Sequence, residues 1–391
     1  ALTLAGSLAA LLPLGIAGAA LVNALSALGQ VEEARTQLSS LLKQTAVLQP
    51  TSLKADYATA LLSLEHSQAL MLRRQGKQKE ATAVTQRMLQ RVAGNHSLSP
   101  YQVGDIYVEL ATMLWASGDY PAAVQALQEA IHRFDQVADT VAAVFARGNL
   151  GLVYWSMARY DLAERDMRAC IAFCEQVNAR WRLVSDVGNL ALVYLGQGNL
   201  YAALHYVDRH LDLAQRQGHT WETSRAHLNR GAILVYLQEY ESARQELERS
   251  LARVTQENRQ ELIASVKIDL SLCLAGLGKE TQAQQLADNA YAMAQAMSFP
   301  ALKIIAARNL ARYGNSDQRR QHLYHALSLA QQHQRPFDEA GCLLSLIRLT
   351  ENRATQADYW GQAVELLQKM GAAAWLDQHS RRNPPFLALM L

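Results

Sequence analysis

The sequence predicts an all-α chain of stacked helix pairs, and three observations carry that prediction. Half of the 391 residues are apolar, with only 8 Pro and 21 Gly, and Ala, Leu, Gln, Arg and Glu dominate; these are strong helix formers. No stretch alternates with the period of two that a half-buried strand requires. A hydrogen-bonding side chain recurs every 40 residues in an otherwise apolar register, at Asn149, Asn189, Asn229, Asp269 and Asn309. A fixed period of this kind marks an array in which one unit stacks on copies of itself.

A second marker sets the register of the pairs. Gly29, Gly76, Gly118, Ala158, Gly198, Gln238 and Gly278 each lie five residues before an Ala: Ala34, Ala81, Ala123, Ala163, Ala203, Ala243 and Ala283. The markers are spaced by 47, 42, 40, 40, 40 and 40 residues. The small residue ends one helix in a left-handed cap. The Ala falls in the first turn of the next helix, where a larger side chain would push the two helices apart. Gly118-Asp119-Tyr120-Pro121 adds a Pro near the following helix start.

The antiparallel pairs, helix A then helix B, therefore run 14–28 with 31–47, 53–75 with 78–93, 102–117 with 120–136, and 141–157 with 160–176. They continue 181–196 with 200–216, 221–237 with 240–255, 260–277 with 280–297, 300–313 with 317–333, and 337–350 with 355–370, before a terminal turn at 373–379.

The run Gly148-Asn149-Leu150-Gly151-Leu152-Val153-Tyr154, followed by Ala158-Arg159-Tyr160 and Ala163, resembles the tetratricopeptide repeat. It recurs as Gly188-Asn189-Leu190-Ala191-Leu192-Val193-Tyr194 with Gly198-Asn199-Leu200 and Ala203. The common repeat has 34 residues; a period of 40 resembles the long-repeat arrays of kinesin light chain, spindle-orientation adaptors and bacterial regulators. The resemblance implies a right-handed superhelical solenoid of about nine helix pairs. It would form a single domain over 1–391, with a degenerate repeat at 1–50, core repeats at 51–297, and degenerate repeats plus a cap at 298–391. Function does not follow from fold alone, because such arrays serve many processes.

In helix A, residues at i, i+4, i+7 and i+11 share one face. That face collects Phe145, Asn149, Leu152 and Ser156, then Ser185, Asn189, Leu192 and Gly196. Next come Arg225, Asn229, Ala232 and Tyr236, then Ser265, Asp269, Leu272 and Gly276. The family resemblance implies that this face lines a concave groove, and that asparagine there bonds the backbone of an extended peptide. An amide offers both a donor and an acceptor. Each bond contributes about 0.5–1.5 kcal/mol net, against roughly 4–15 kcal/mol for association, so side-chain pockets must supply the rest. Trp115 and Trp155, also 40 apart, are candidate aromatic anchors; both fit the core equally well. Gly148 and Gly188, one place before Asn, would let a ligand approach closely. A second reading stands beside this one, in which the ladder bonds the neighbouring repeat and fixes stacking register. Trp181 and Trp221 read as packing between repeats, and Tyr154 and Tyr194 as core.

Charge along the ladder face changes sign, with Asp105 and Glu109 early, then Arg225, Arg308 and Arg312. A ligand basic at one end and acidic at the other would suit it. Lys+Arg is 37 against Asp+Glu 35, a net charge of +2 with the signs interspersed, so nucleic acid is not an expected partner. Of four cysteines, Cys170 and Cys174 sit at i, i+4, yet no CxxC or nearby His completes a metal set. Buried reduced thiols in a cytoplasmic compartment are expected instead, with no metal or cofactor. The first 30 residues carry no charge, but Pro13, scattered Gly and Ser, and the lack of a basic leader argue against a membrane anchor. A start at Ala1 fits a piece of a longer protein opening within an upstream repeat. There is no phosphate-binding Gly-rich loop, HExxH or nucleophile-elbow motif, so catalysis is not expected.

The segment from Trp360 through Met370-Gly371 to Trp375-Leu376 resembles the end of helical sensor arrays in bacterial signal-transduction ATPases, including LuxR-type regulators. That resemblance implies a missing upstream ATPase or effector domain. The expected function is non-catalytic binding of a peptide, a protein segment or a small inducer in the groove. A scaffold joining partner proteins and a peptide-pheromone receptor are the alternatives.

Overall fold

The computed structural model describes residues 17–22, 25, 31–47, 54–74, 77–93, 99–256, 259–297 and 299–376. Gly29, Gly76, nearly all of the uncharged N-terminal stretch and the end of the terminal turn at 377–379 lie outside the described residues. The described chain is all-helical, in consecutive packed pairs. It divides into two compact units, Ala1–Ala146 and Arg147–Leu391.

The first unit holds α1 (Val31–Val47), α2 (Lys54–Arg74), α3 (Gln78–Ala93), α4 (Pro100–Ser117), α5 (Tyr120–Gln136) and the start of α6 (Thr140–Ser156). Ser99 and Gln102 form a capping box ahead of α4, with Pro100 in the first turn. Gly118 closes α4 in the left-handed region at φ 85°, and Asp119 caps α5. Gly104 leaves room for the Phe134 ring, which would lie 2.6 Å from a Cβ there.

The second unit continues α6 with α7 (Tyr160–Gln176), α8 (Arg180–Gly196), α9 (Leu200–Arg216), α10 (Thr220–Tyr236) and α11 (Tyr240–Gln256). Then follow α12 (Gln260–Gly276), α13 (Glu280–Gln295), α14 (Pro300–Leu310), α15 (Ser316–Gln332), α16 (Pro336–Ile347) and α17 (Arg353–Lys369). Two 17-residue helices and two three-residue links make up the 40-residue period. α14 and α16 end three residues earlier than the sequence suggests, because the chain turns at 311–314 and 348–350.

Both sequence markers do what their chemistry requires. Gly118, Ala158, Gly198, Gln238 and Gly278 all have positive φ, between 56° and 85°. Ala123, Ala163, Ala203, Ala243 and Ala283 are fully buried. The links from B back to A use the same left-handed residue at Ala138, Asn178 and Gly218, again 40 apart. Sequence reading missed this second series because its residue types differ.

Helices A and B are buried differently. α9 buries a single stripe, Leu200, Ala203, Val207, His210 and Ala214. α8 is buried at every position from Asp186 to Gly196, and α10 and α12 nearly so. The second unit also curls back on itself: Phe337 of α16 meets Tyr160 of α7 edge-on at 6.3 Å. Trp181 departs from the packing role expected of it, being 60 % exposed, while Trp221 lies beneath the Arg259 guanidinium at 3.9 Å.

Gln238 is exposed yet left-handed, a conformation costing about 1–2 kcal/mol for an L side chain. Gln238→Gly should raise the unfolding free energy by about 0.5–1 kcal/mol, checked by urea denaturation; a loss would mean that the turn is not strained.

Candidate functional site

The ladder lies on consecutive helices A of the second unit, with Asn149 on α6, Asn189 on α8, Asn229 on α10, Asp269 on α12 and Asn309 on α14. Asn149 is half-buried. The other four are 6, 4, 2 and 3 % exposed, so their polar atoms must find partners in the protein or in a ligand.

Asn189 finds one within the fold. Its Oδ1 accepts from Arg225 Nη1 at 2.7 Å, and Arg225 Nη2 donates to the Ser185 carbonyl at 3.2 Å. The same guanidinium donates through Nε to Glu222 at 2.9 Å, and His210 Nε2 lies 2.9 Å from that carboxylate. Burial alone would raise the Glu222 carboxyl, but Arg225 and His210 together hold it down to about 2. Burial lowers His210, against the opposing pull of Glu222. At this rung the ladder amide bonds the neighbouring repeat, and Ser185 and Arg225 belong to the same network.

The next three rungs differ. Asn229 Nδ2, Asp269 Oδ1 and both polar atoms of Asn309 are buried without a hydrogen-bond partner. Each unmade bond costs about 1–3 kcal/mol. Burial pushes the Asp269 carboxyl well above the ordinary carboxylate range. The unpartnered atom there is the acceptor Oδ1, between the amides of Asn229 and Asn309.

Other sequence expectations need correction. Trp155 is 3 % exposed and its Nε1 donates to the Leu192 carbonyl of the next helix A at 3.0 Å, so it packs in the core and is no open anchor. Leu152 and Leu192 pack in the same core. Gly148 and Gly188 leave space for this chain's own side chains: a Cβ on Gly148 would meet Arg182, and one on Gly188 would lie 2.6 Å from His210 Cε1 and 2.9 Å from Arg225 Nη2. Arg225 and Arg308 offer no free charge to a ligand, because Glu222 and Asp338 neutralise them. Tyr236 is buried against Trp375, with ring centres 5.1 Å apart. Trp115 and Phe145 lie in the first unit, both half-buried. Tyr194 is buried, stacked on Tyr206 and bonded to Glu164, whereas Tyr154 is half-buried.

The four cysteines are buried free thiols. Cys170 Sγ donates to Asp186 Oδ2 at 2.9 Å, and Arg182 Nε donates to the same oxygen at 2.8 Å. Burial and the Asp186 charge push the Cys170 thiol up. Cys170, Cys174 and Asp186 come within 4.8 Å of one another; sequence reading missed Asp186, which arrives from the next helix. Arg182 already supplies the positive charge a metal ion would bring.

Satisfied and unsatisfied rungs should respond oppositely to apolar replacement. Asn229→Leu and Asn309→Leu should each raise the unfolding free energy by about 1 kcal/mol, whereas Asn189→Leu, which leaves Arg225 Nη1 without its acceptor, should lower it by about 1–3 kcal/mol. Thermal and urea unfolding of the three variants measure this; destabilisation by all three would assign the whole ladder to stacking register.

The tetratricopeptide repeat model matches residues 102–176 and 183–256. No curated protein matches the chain. Among solved structures, a Rap protein complexed with competence and sporulation factor superposes with a TM-score of 0.69 at 13% identity, covering 93% of this chain and 99% of that one. NprR in complex with its cognate peptide NprX gives 0.63 at 13% identity, covering 90% and 98%. Aspartyl phosphate phosphatase F from Bacillus subtilis gives 0.54 at 12% identity, covering 92% and 95%. At such identities the likeness establishes the fold. These matches lend no support to the resemblance to ATPase-linked LuxR-type regulators. The chain thus matches the tetratricopeptide repeat model over 102–176 and 183–256 and shares its helix-pair fold with the Rap and NprR structures.

Proposed function

We propose that the chain is a non-catalytic peptide receptor whose ladder face on α10, α12 and α14 receives the backbone of an extended peptide. One observation carries this reading: three successive repeats keep polar atoms unpartnered at equivalent positions, Asn229, Asp269 and Asn309. Because these atoms are closed to solvent, a peptide reaches them only when the packed helices part. Neighbouring packed helices lie about 8–10 Å apart, and an extended chain advances about 3.3 Å per residue. One rung therefore meets every third peptide residue or so, with an unpartnered donor at Asn229, an acceptor at Asp269 and both at Asn309. Similar folds have been solved with NprX and with competence and sporulation factor, which supports a peptide over a small inducer or a passive scaffold.

The readout would be a change in how successive repeats stack, passed to an effector domain or partner. A ligand shifts that geometry only by binding one arrangement better than another. The four buried free thiols fit a reducing, cytoplasmic setting, and no helix among the described residues is long and apolar enough to cross a membrane.

An immobilised library of random heptapeptides, probed with the full chain, tests the proposal. The expected result is a family of binders whose affinity falls at least about tenfold in Asn229→Ala and in Asn309→Ala, one hydrogen bond each. Binders that ignore both substitutions would place the peptide elsewhere.

A further inference from the structure

The end of the described chain is seated on the ladder face. Trp375 is completely buried, although it lies in a single short turn after α17. Its Nε1 donates to the Gly196 carbonyl at 3.0 Å, across 179 residues of sequence. Gly196 belongs to the ladder face of α8 and ends that helix. Of the last four α8 carbonyls, those of Val193, Tyr194 and Leu195 accept from the N–H groups of Gln197, Asn199 and Gly198. The fourth, on Gly196, is one of the orphan acceptors every helix end leaves, and the Trp375 indole fills it.

The indole sits in a socket of matched shape. Tyr236 meets it edge-on at 5.1 Å and Phe337 at 6.2 Å. Gly198 lets the segment approach: a Cβ there would lie 3.1 Å from Ala374 Cβ and 3.3 Å from the Trp375 backbone nitrogen. The ring of Tyr160 backs Gly196 and reaches Phe337. The seated segment thus joins the last helix pair of the second unit to α7, α8 and α10.

We propose that residues 372–376 are a built-in occupant of a tryptophan socket on the ladder face, closing the second unit into a ring, and that a peptide bearing its own aromatic residue with an N–H donor competes for the socket. The competition half rests on the peptide-receptor reading; ring closure does not. Because the socket lies at the end of the ladder face, a ligand that takes it releases the last pair and opens the ring.

The test uses the full chain and needs no natural ligand. Trp375→Ala should keep its helical circular dichroism, show a larger radius of gyration in small-angle scattering, and exchange backbone amides around 372–376 at least about tenfold faster, the scale of one lost hydrogen bond. Trp375→Phe, which keeps the ring but loses the N–H, should fall between. A synthetic peptide with the sequence of residues 369–379 should bind Trp375→Ala and restore compact dimensions, while the same peptide with Ala for Trp should not. Unchanged dimensions and exchange in Trp375→Ala would overturn the closure. An open Trp375→Ala chain that ignores the peptide would overturn the competition and leave ring closure standing.

Discussion

The fold depends on one constraint: in the second unit the A helices are buried on nearly every side, so each polar group they carry must be paired or left wanting. α8 has no exposed position between Asp186 and Gly196. An ordinary two-layer helix shows water one polar face; these helices do not. Apolar residues at the ladder positions would fill such a space at lower cost. The array instead places an amide or acid at the same turn of five helices in succession, and only some of them are consumed by the fold.

The difference between rungs is local chemistry. At Asn189, Arg225 arrives from the next helix, bringing Glu222 and His210 into a network that leaves Asn189 an acceptor with a partner. At 229, 269 and 309 no such cation arrives. Arg308, one place before Asn309, turns instead toward Asp338 and lies over Gly341. Burial with no neighbouring cation raises the Asp269 carboxyl well above the ordinary carboxylate range, which lowers the expense of a buried charge. The glycines follow the same logic, since Gly148 and Gly188 make room for the neighbouring repeat's Arg182 and Arg225. A glycine beside a ladder amide thus admits a cation from within.

Much of the fold was legible because the period is strict. The Gly–Ala marker located the A-to-B turns, since left-handed caps and close helix starts restrict residue choice. The B-to-A turns at Ala138, Asn178 and Gly218 hid, because Ala, Asn and Gly share no pattern despite their common conformation. Ladder positions were readable, but their partners were not: whether an Asn is satisfied depends on side chains some 36 residues away, as with Arg225 and Asn189. Of the two readings open for Trp155, groove or core, the sequence could not choose, because the choice rests on its N–H turning to the carbonyl of the next helix A. The Trp375 socket was beyond reach, since nothing in a linear pattern reveals that a helix pair returns to touch one 179 residues earlier.

On the proposed reading, Asn229 and Asn309 keep amides in reserve for a peptide backbone. Side-chain amide resonances of selectively labelled Asn, followed while a selected peptide is titrated in, test it directly. The account requires the Asn229 and Asn309 amide protons to move downfield and exchange more slowly on binding, with Asn189 unmoved because Arg225 already occupies it. Saturating peptide that leaves the 229 and 309 signals where they stood would contradict it.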